Sequence, residues 1–168
     1  SAPLSEDYNR IEMNLPNPVL ADLDNDGVPE ILHTSYDGKL HVWTLGKTEQ
    51  NNWPYDLQPA GGAYLRFGSE PVIADLDNDG NAEVILATWT ENGSNAPGQL
   101  LILSHTGDLL QAVNLPWDPE DGRGGALGAP TLANLDGDAN LEVVVGTINQ
   151  GLVAYEIADS ADARILWT

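Results

Sequence analysis

The chain has 168 residues, of which 42% are hydrophobic, and its mean hydropathy is −0.24. These values suit one soluble globular domain with a real core, and no apolar run approaches the roughly 18 residues of a membrane span. The net charge is −20, from 26 acidic and 6 basic residues. Such a charge disfavours nucleic acid and insertion into an anionic membrane. The absence of cysteine excludes disulfides and thiolate metal sites.

The hydrophobic pattern predicts short strands and no helix, because no segment keeps a 3.6-residue period over ten residues. An alternating segment at 10–15 predicts a first strand. Three successive units follow, and each begins with an apolar run. The strands predicted for the first unit are 19–21, 31–34, 39–45 and 53–57. Those of the second are 72–74, 83–88, 99–103 and 109–115. Those of the third are 131–133, 142–147, 152–157 and 164–167.

An acidic nonapeptide recurs at the same place in each unit. It runs from Asp22 to Glu30, from Asp75 to Glu83 and, in a weaker form, from Asn134 to Glu142. Each copy has a proline four residues before its first position and ends on a glutamate eight residues after it. Eleven of the 26 acids lie in these three loops. Self-similarity at a fixed period is typical of a repeat architecture.

Four-stranded units that recur every 53 and 59 residues (75 − 22 and 134 − 75) predict an all-β fold of β-propeller blades, with a β-sandwich or a solenoid as the alternative. The predicted blades are 16–58, 68–115 and 128–168, and the strand at 10–15 would belong to a preceding blade. Propellers close with about 4–8 blades. We therefore expect that the three four-stranded antiparallel repeats are part of a larger propeller in a longer chain, or that a homo-oligomer completes them.

The spacing of the acids predicts calcium sites. Ca²⁺ takes six to eight oxygen ligands, and alternate side chains of a curled loop can face one ion. The predicted ligands of the first loop are Asp22, Asp24, Asp26, the Val28 carbonyl and Glu30. Those of the second loop are Asp75, Asp77, Asp79, the Asn81 carbonyl and Glu83. Those of the third loop are Asn134, Asp136, Asp138, Asn140 and Glu142.

An EF-hand is the obvious rival interpretation, since its loop begins with the same acids. It requires a bidentate acid at loop position twelve and a helix on each side. Position twelve is His33, Leu86 or Val145 in the three copies, and the flanking patterns are those of strands. Both requirements fail, so the sequence indicates a loop between two strands.

The third loop departs from the other two. Asn134 replaces the first carboxylate, and Ala139 stands where the first two loops have glycine. An alanine would be strained if the turn needs a positive φ at that position. We therefore expect two full calcium sites and a third, weaker one.

These loops, between Pro-Val-Leu/Ile and Glu-Ile/Val, resemble the FG-GAP/VCBS repeats related to the integrin α-chain propeller. Phe67 to Pro71 and Leu127 to Pro130 resemble the stretch that gives the family its name. The resemblance covers about residues 10–168. It implies that each loop joins the first two strands of a blade and binds Ca²⁺ on one face of the propeller.

Other residues offer weaker signals. His33, His41 and His105 have no partner at ligand spacing, so ordinary strand or turn roles are favoured. Tryptophans Trp53, Trp89 and Trp117 either stack on sugars or, as the pattern favours, pack between blades. A glycosylation sequon, at 92–94, matters only in a eukaryotic secretory setting. No sequence signal marks a catalytic residue or a phosphate-binding loop.

The predicted function is a secreted, calcium-binding adhesion scaffold that engages an unidentified protein or glycan ligand. Extracellular Ca²⁺ near millimolar would fill weak sites, and the partner would contact the long loops at 90–98 and 116–129. The alternative is a segment of a propeller-based carbohydrate-active enzyme such as a polysaccharide lyase. Catalysis of that kind would rely on cationic residues such as Arg66 or Arg123. The chain has only six lysines and arginines in total.

Overall fold

The computed structural model describes residues 16–58, 66–90, 96–120 and 123–167. This part of the chain is all-β, as predicted, and it contains no helix long and apolar enough to cross a membrane. The first unit contains β1 (Val19–Ala21), β2 (Glu30–Thr34), β3 (Lys39–Trp43) and β4 (Tyr55–Asp56). The second contains β5 (Arg66–Gly68), β6 (Val72–Asp75), β7 (Glu83–Thr90), β8 (Gln99–Leu103) and β9 (Leu109–Asn114). The remaining strands are β10 (Trp117–Asp118), β11 (Arg123–Gly124), β12 (Thr131–Ala133), β13 (Leu141–Thr147), β14 (Gly151–Ile157) and β15 (Arg164–Trp167).

The first sheet has the strand order β1-β2-β3-β4, with every neighbouring pair antiparallel. Val19 lies opposite Leu32, and Leu32 lies opposite Val42. These aligned residues therefore share one face of the sheet, because side chains alternate between faces along each strand. Four strands were predicted for this unit, and four are present among its described residues.

The second sheet has the order β15-β6-β7-β8-β9, and β5 also pairs with β7. Both β5 and β6 use the same edge of β7: β5 pairs with its last residues and β6 with its first. Ser69 continues the edge between them, since its N–H donates to the Ala87 carbonyl (2.8 Å) and its Oγ accepts from the Ala87 N–H (3.1 Å). The Phe67-Gly68 stretch that carries the family resemblance is therefore a strand, which the hydrophobic pattern did not predict.

The third sheet contains β12-β13-β14, and β10 and β11 form a separate hairpin inside the segment predicted as a polar loop. All four strands predicted for the third unit are present, but only three of them pair in this sheet. The last strand, β15, pairs with β6 of the second sheet, with Arg164 opposite Asp75 and a register shift between Ile165 and Trp167. The blade boundaries and the closure of a propeller stay predictions, and the strand predicted at 10–15 lies outside the described residues.

The three main sheets stack face to face, with the second in the middle, and each contact is an apolar cluster. All eight residues of β7 are buried, because its alternate side chains enter different clusters. We call the face that packs on the next sheet the forward face and the opposite face the rear face. The forward face of the first sheet contributes Val19, Ala21, Leu32, Leu40 and Val42 to one cluster. It packs on the rear face of the second sheet, which contributes Ile73, Val84, Leu86, Leu101 and Leu103.

The same arrangement recurs between the second and third sheets. The forward face of the second sheet contributes Val72, Ala74, Ile85, Ala87, Leu100 and Ile102. It packs on the rear face of the third sheet, which contributes Leu132, Val143 and Val145, with Val153 and Tyr155 alongside. Each acidic loop joins two paired strands, β1 to β2, β6 to β7 and β12 to β13, so the stacking brings the loops of the first two sheets into contact. The Ala82 N–H of the second loop donates to the Leu23 carbonyl of the first at 2.8 Å.

Candidate metal centres

Each acidic loop connects two antiparallel strands, as the sequence predicted. The loops join β1 to β2, β6 to β7 and β12 to β13. Their final glutamates, Glu30, Glu83 and Glu142, pair with the last or next-to-last residue of the strand before the loop. Because the backbone of each glutamate is paired with the strand before the loop, its side chain lies beside the beginning of the loop.

The first aspartate of the loop determines how the chain curls. Asp22 accepts hydrogen bonds from the N–H groups of Asp26 (3.1 Å) and Gly27 (2.8 Å). Asp75 does the same in the second loop, where Asp79 and Gly80 donate at 3.0 and 3.1 Å. Short polar side chains that bond nearby backbone groups favour turns in this way.

Two residues in each of these loops adopt the left-handed backbone region. They are Asn25 (φ 59°) and Gly27 (φ 88°) in the first loop, and Asn78 (φ 59°) and Gly80 (φ 99°) in the second. Asparagine and glycine are the residues that tolerate a positive φ best. The Asn-Asp-Gly sequence is therefore suited to this turn with or without a cation.

The closing glutamate is held by the backbone beside the first ligand. Glu30 Oε2 accepts from the Leu23 N–H at 3.0 Å, and Glu83 Oε2 accepts from the Leu76 N–H at 2.8 Å. Glu142 accepts from the Leu135 N–H at 2.6 Å. One oxygen of each carboxylate is thus held at the beginning of the loop.

Among the described residues, three groups of acids each place one carboxylate oxygen per residue within 4.8 Å of the others. The groups are Asp22, Asp24 and Glu30; Asp75, Asp77 and Glu83; and Asp136, Asp138 and Glu142. These distances suit oxygens around one cation, since Ca²⁺–O bonds of 2.3–2.6 Å separate neighbouring ligands by a few ångströms. The predicted carboxylate ligands outside these groups are Asp26 and Asp79, whose Oδ1 atoms accept from the Val28 and Asn81 N–H groups at 2.7 Å. The carbonyls of Val28 and Asn81 and the ligands Asn134 and Asn140 stay predictions.

Each of these groups carries several negative charges close together. Burial raises the pKa of Glu83 to about 7, and the negative charges of Asp77, Asp79 and Asp75 add to the effect while the Leu76 N–H opposes it. Burial and the neighbouring aspartates likewise raise the pKa of Glu30 above its ordinary value. A bound cation would favour the ionised form of each glutamate. An all-oxygen donor set with excess negative charge fits a hard divalent cation.

The third loop has a different shape. Its Asn134 Oδ1 accepts from the Gly137 N–H at 2.7 Å, and its side-chain amide donates to the Asp138 carbonyl. Gly137 has φ 83°, at the position of Asn25, whereas Ala139 is not among the described residues with positive φ. The strain expected for Ala139 is therefore avoided. The glycine of this loop stands two positions earlier than Gly27 does in the first loop, and it is the residue that adopts the left-handed backbone conformation.

A basic residue that the sequence analysis did not predict distinguishes the second loop. The guanidinium of Arg164 in β15 donates to Asp75 Oδ2 through Nη2 at 2.8 Å and through Nε at 3.2 Å. The Asp75 side chain is fully buried, whereas that of Arg164 is 54% exposed. Because 89 residues separate the two, no local pattern could have predicted the contact.

The other candidates mostly have structural roles. Trp53 and Trp89 are each 8% exposed, and Trp53 Nε1 donates to the His105 carbonyl at 3.1 Å, so both tryptophans pack inside the protein. His41 bonds to Glu49 (2.9 Å) and Asp37 (3.1 Å) on the rear face of the first sheet. The sequon at 92–94 lies outside the described residues.

An open cavity of about 240 Å³ lies beside the first acidic loop. Asp24 and Glu30 line one side, and Trp53 and His105 line the other. The first loop is therefore reachable from a recess between the first two sheets.

Comparison with known families identifies the repeat. Residues 22–86 match the family described as an FG-GAP-like repeat, and the match includes the first two acidic loops. The resemblance to FG-GAP repeats is confirmed over these residues. No curated protein and no solved structure matches the chain.

Proposed function

We propose that this chain, which carries an FG-GAP-like repeat at residues 22–86, is a calcium-binding repeat module that acts as an extracellular binding or adhesion scaffold. The observation that carries the proposal is the convergence of three carboxylates in each acidic loop. Each loop is held between paired strands and is closed by a glutamate bonded to the start of the loop.

Asp22, Asp24 and Glu30 would hold one ion, and Asp75, Asp77 and Glu83 a second. The third group, in which Asn134 contributes no charge, would bind more weakly. When bound, Ca²⁺ supplies positive charge that neutralises the acids. Each loop then ties together the two strands that it joins, and a ligand that binds only the folded state stabilises it.

The positions of the proposed metal sites support a scaffold role, because they lie at the ends of the sheets. The acidic loops lie at the sheet ends, and the sheets between them are packed by apolar clusters. A protein or glycan ligand would be engaged by exposed residues on this rigid frame, among them residues 127–129 at the end of the predicted loop 116–129. A secreted location agrees with weak sites that need near-millimolar Ca²⁺.

The enzymatic alternative gains no support from the described residues. Arg66, one of the cationic residues it would rely on, is 9% exposed. Its guanidinium donates to Gln99 Oε1 at 2.6 Å and to the Pro97 carbonyl at 3.5 Å. A buried arginine that bonds to neighbouring strand and loop groups has a structural role in positioning the segment before β8.

Isothermal titration calorimetry with Ca²⁺ tests the proposal. Asp24→Asn keeps the acceptor for the Asp26 N–H (3.2 Å) but removes one charge from the first group. We expect the affinity of one site to fall by about tenfold or more, which is ~1.4 kcal/mol, while the other sites are unchanged.

Asp56→Asn is the matched control, since Asp56 is exposed and also accepts a backbone N–H, from Gln58 at 2.9 Å, but lies outside the loops. It should leave the titration unchanged. A wild-type chain that binds no Ca²⁺ at millimolar concentration, or equal effects of the two substitutions, would contradict the proposal.

A further inference from the structure

The two contacts between the main sheets use the same kind of surface twice. In both, an apolar forward face packs on the rear face of the following sheet. The packing direction is the same each time. Among the described residues, no sheet packs on the forward face of the third sheet or on the rear face of the first, and we call these two faces unused.

The unused forward face is built of smaller residues than the two buried ones, but it keeps a large aliphatic side chain on each of its two longer strands. Its positions on β12, β13 and β14 correspond in register to the buried forward face of the second sheet. They are occupied by Thr131, Ala133, Val144, Gly146, Leu152 and Ala154. Leu152 is 78% exposed, whereas Leu100 at the same position of the second sheet is 4% exposed.

The loop beside this face shows the same pattern. The second residue of each acidic loop is a leucine, and its exposure is 2% for Leu23, 7% for Leu76 and 57% for Leu135. The first two are covered where another sheet follows. The third is exposed where none of the described residues follows.

The unused rear face of the first sheet is also largely apolar. Leu20 (56% exposed), Ile31 and Trp43 stand at the positions of the buried Ile73, Val84 and Leu103. The two remaining positions are His33 and His41, a cross-strand pair. The ring of His41 stacks on Trp43 at 4.8 Å, and both its nitrogens bond to acids, so its polar atoms already have partners.

One hydrogen bond of the internal contacts has no equivalent on this face. Ala82 donates its N–H to the Leu23 carbonyl of the preceding loop. Pro29 stands at the position of Ala82 in the first loop and has no N–H. A sheet that packs here therefore gains burial of apolar surface without this bond, which the contact between the second and third sheets also lacks, since the Leu141 N–H donates to Ser160 Oγ. Its contact should be weaker than the one between the first two sheets.

We propose that the forward face of the third sheet in one copy of the chain packs on the rear face of the first sheet in a second copy. The contact continues the stack in the direction that the molecule already uses twice, and it covers Leu152 and Leu135 on one side and Leu20 on the other. Because the two surfaces differ, the association is head to tail, which gives a ring or an open assembly. The net charge of −20 opposes association, so salt or bound cations should strengthen it.

The test is sedimentation velocity of the full chain over a wide range of protein concentrations, at physiological ionic strength, with and without Ca²⁺. Wild type should associate as its concentration rises. Leu152→Lys and Leu20→Lys place a charge in the contact while making the net charge less negative, so repulsion between copies cannot explain a loss of association. Each variant alone should be monomeric.

A mixture of the two variants is the decisive measurement. The Leu152→Lys chain keeps its rear face and the Leu20→Lys chain keeps its forward face, so the mixture should form dimers and nothing larger. Leu110→Lys is the matched control: Leu110 is 57% exposed on β9, away from both faces, and the variant should associate like wild type. Circular dichroism and melting temperature establish that every variant is folded.

The proposal fails if wild type stays monomeric at all concentrations, or if Leu110→Lys abolishes association as strongly as Leu152→Lys. It also fails if Leu20→Lys alone still dimerises, because two forward faces would then be in contact. Association that persists without Ca²⁺ supports the proposal independently of the calcium sites, since the two faces contain none of the predicted ligands.

Discussion

Gly68 lies in close contact with the first sheet. A β-carbon at this position would lie 2.6 Å from Thr34 Cγ2 and 3.1 Å from both Leu57 Cδ1 and Leu86 Cδ1. The hydroxyl of Thr34 also donates to the Gly68 and Ser69 carbonyls at 3.1 and 3.0 Å. The glycine of the Phe-Gly stretch therefore has a physical role, because its lack of a side chain lets β5 approach the first sheet.

Gly68→Ala should destabilise the protein by about 1–3 kcal/mol, the usual cost of overpacking a close contact. Gly128→Ala is the matched control, since Gly128 lies in the corresponding stretch of the third unit and a β-carbon there meets nothing within 4 Å. Urea denaturation followed by circular dichroism measures both free energies of unfolding. A loss at Gly68 no larger than at Gly128 would show that the contact is easily relaxed.

His33 supplies a test of pH dependence. Burial lowers its pKa below the ordinary 6.5, the neighbouring His41 lowers it further, and Asp37 opposes the change. Because the folded state binds the proton less tightly than the unfolded state, the neutral form contributes stability above about pH 6.5, and this contribution is lost as the pH falls through the folded-state pKa.

We expect the His33 ring to titrate below pH 6.5 in an NMR experiment on the folded chain. His33→Leu introduces the residue found at the equivalent Leu86 and should reduce the loss of unfolding free energy between pH 7 and pH 5. A pKa above 6.5, or an unchanged pH dependence in the variant, would contradict this account.

At the scale of the strands, local sequence patterns predicted where most strands lie but not which strands pair with each other. The alternation of Lys39 to Trp43 and the apolar run of Val19 to Ala21 placed β3 and β1 correctly, because the alternation of buried and exposed side chains along a strand is written in consecutive residues. The pairing of β15 was not predictable in this way. Its register depends on an open edge of β6 and on an ion pair between residues far apart in the sequence.

The short strands were missed for a related reason. β5, β10 and β11 have two or three residues each, which is too few to show a period. The metal loops were easier to locate, since three copies of one pattern fixed the carboxylates that the structure groups together. Arg164 was missed because it lies outside the repeated acidic motif and 89 residues from Asp75 in the sequence.

The ion pair between β15 and the second loop leads to a prediction. Without a cation, Arg164→Gln leaves the buried Asp75 without its counter-charge, and we expect a loss of about 1–2 kcal/mol of unfolding free energy, less than for a fully buried pair because the guanidinium is half exposed. With Ca²⁺ present, the second site should bind more tightly, since the arginine no longer competes for Asp75 Oδ2.

Arg164→Lys is the control for this pair, because it keeps the charge and should retain most of the wild-type behaviour. Thermal unfolding in a chelator and calorimetric titration with Ca²⁺ measure the two effects separately. Equal stability of wild type and Arg164→Gln in the chelator would show that the ion pair contributes nothing to the metal-free fold.

At the scale of the whole molecule, the distribution of charge decides how cations act. Eleven of the 26 acids lie in the three loops, and the loops of the first two sheets are joined by the Ala82–Leu23 hydrogen bond. Two bound Ca²⁺ ions would reduce the net charge from −20 by four units, at the points where like charges are closest. Their effect should therefore exceed that of general ionic screening.

We expect Ca²⁺ to raise the melting temperature. A cation at ten times its dissociation constant adds about 1.4 kcal/mol per site, so two full sites add about 3 kcal/mol. For a chain of this length each kcal/mol corresponds to roughly 2–4 °C, and a chelator should therefore lower the melting temperature by about 6–12 °C.

Differential scanning calorimetry measures this shift, and two controls separate binding from screening. NaCl at the ionic strength of the CaCl₂ sample should give a much smaller increase. Mg²⁺ should also give less, because it holds its water and requires near-octahedral geometry. Asp24→Asn should lose about half of the calcium-dependent increase, since it weakens one of two full sites. If NaCl reproduced the whole shift, the acidic loops would act as a diffuse negative patch, and the three convergent carboxylates of each group would have no specific role in binding.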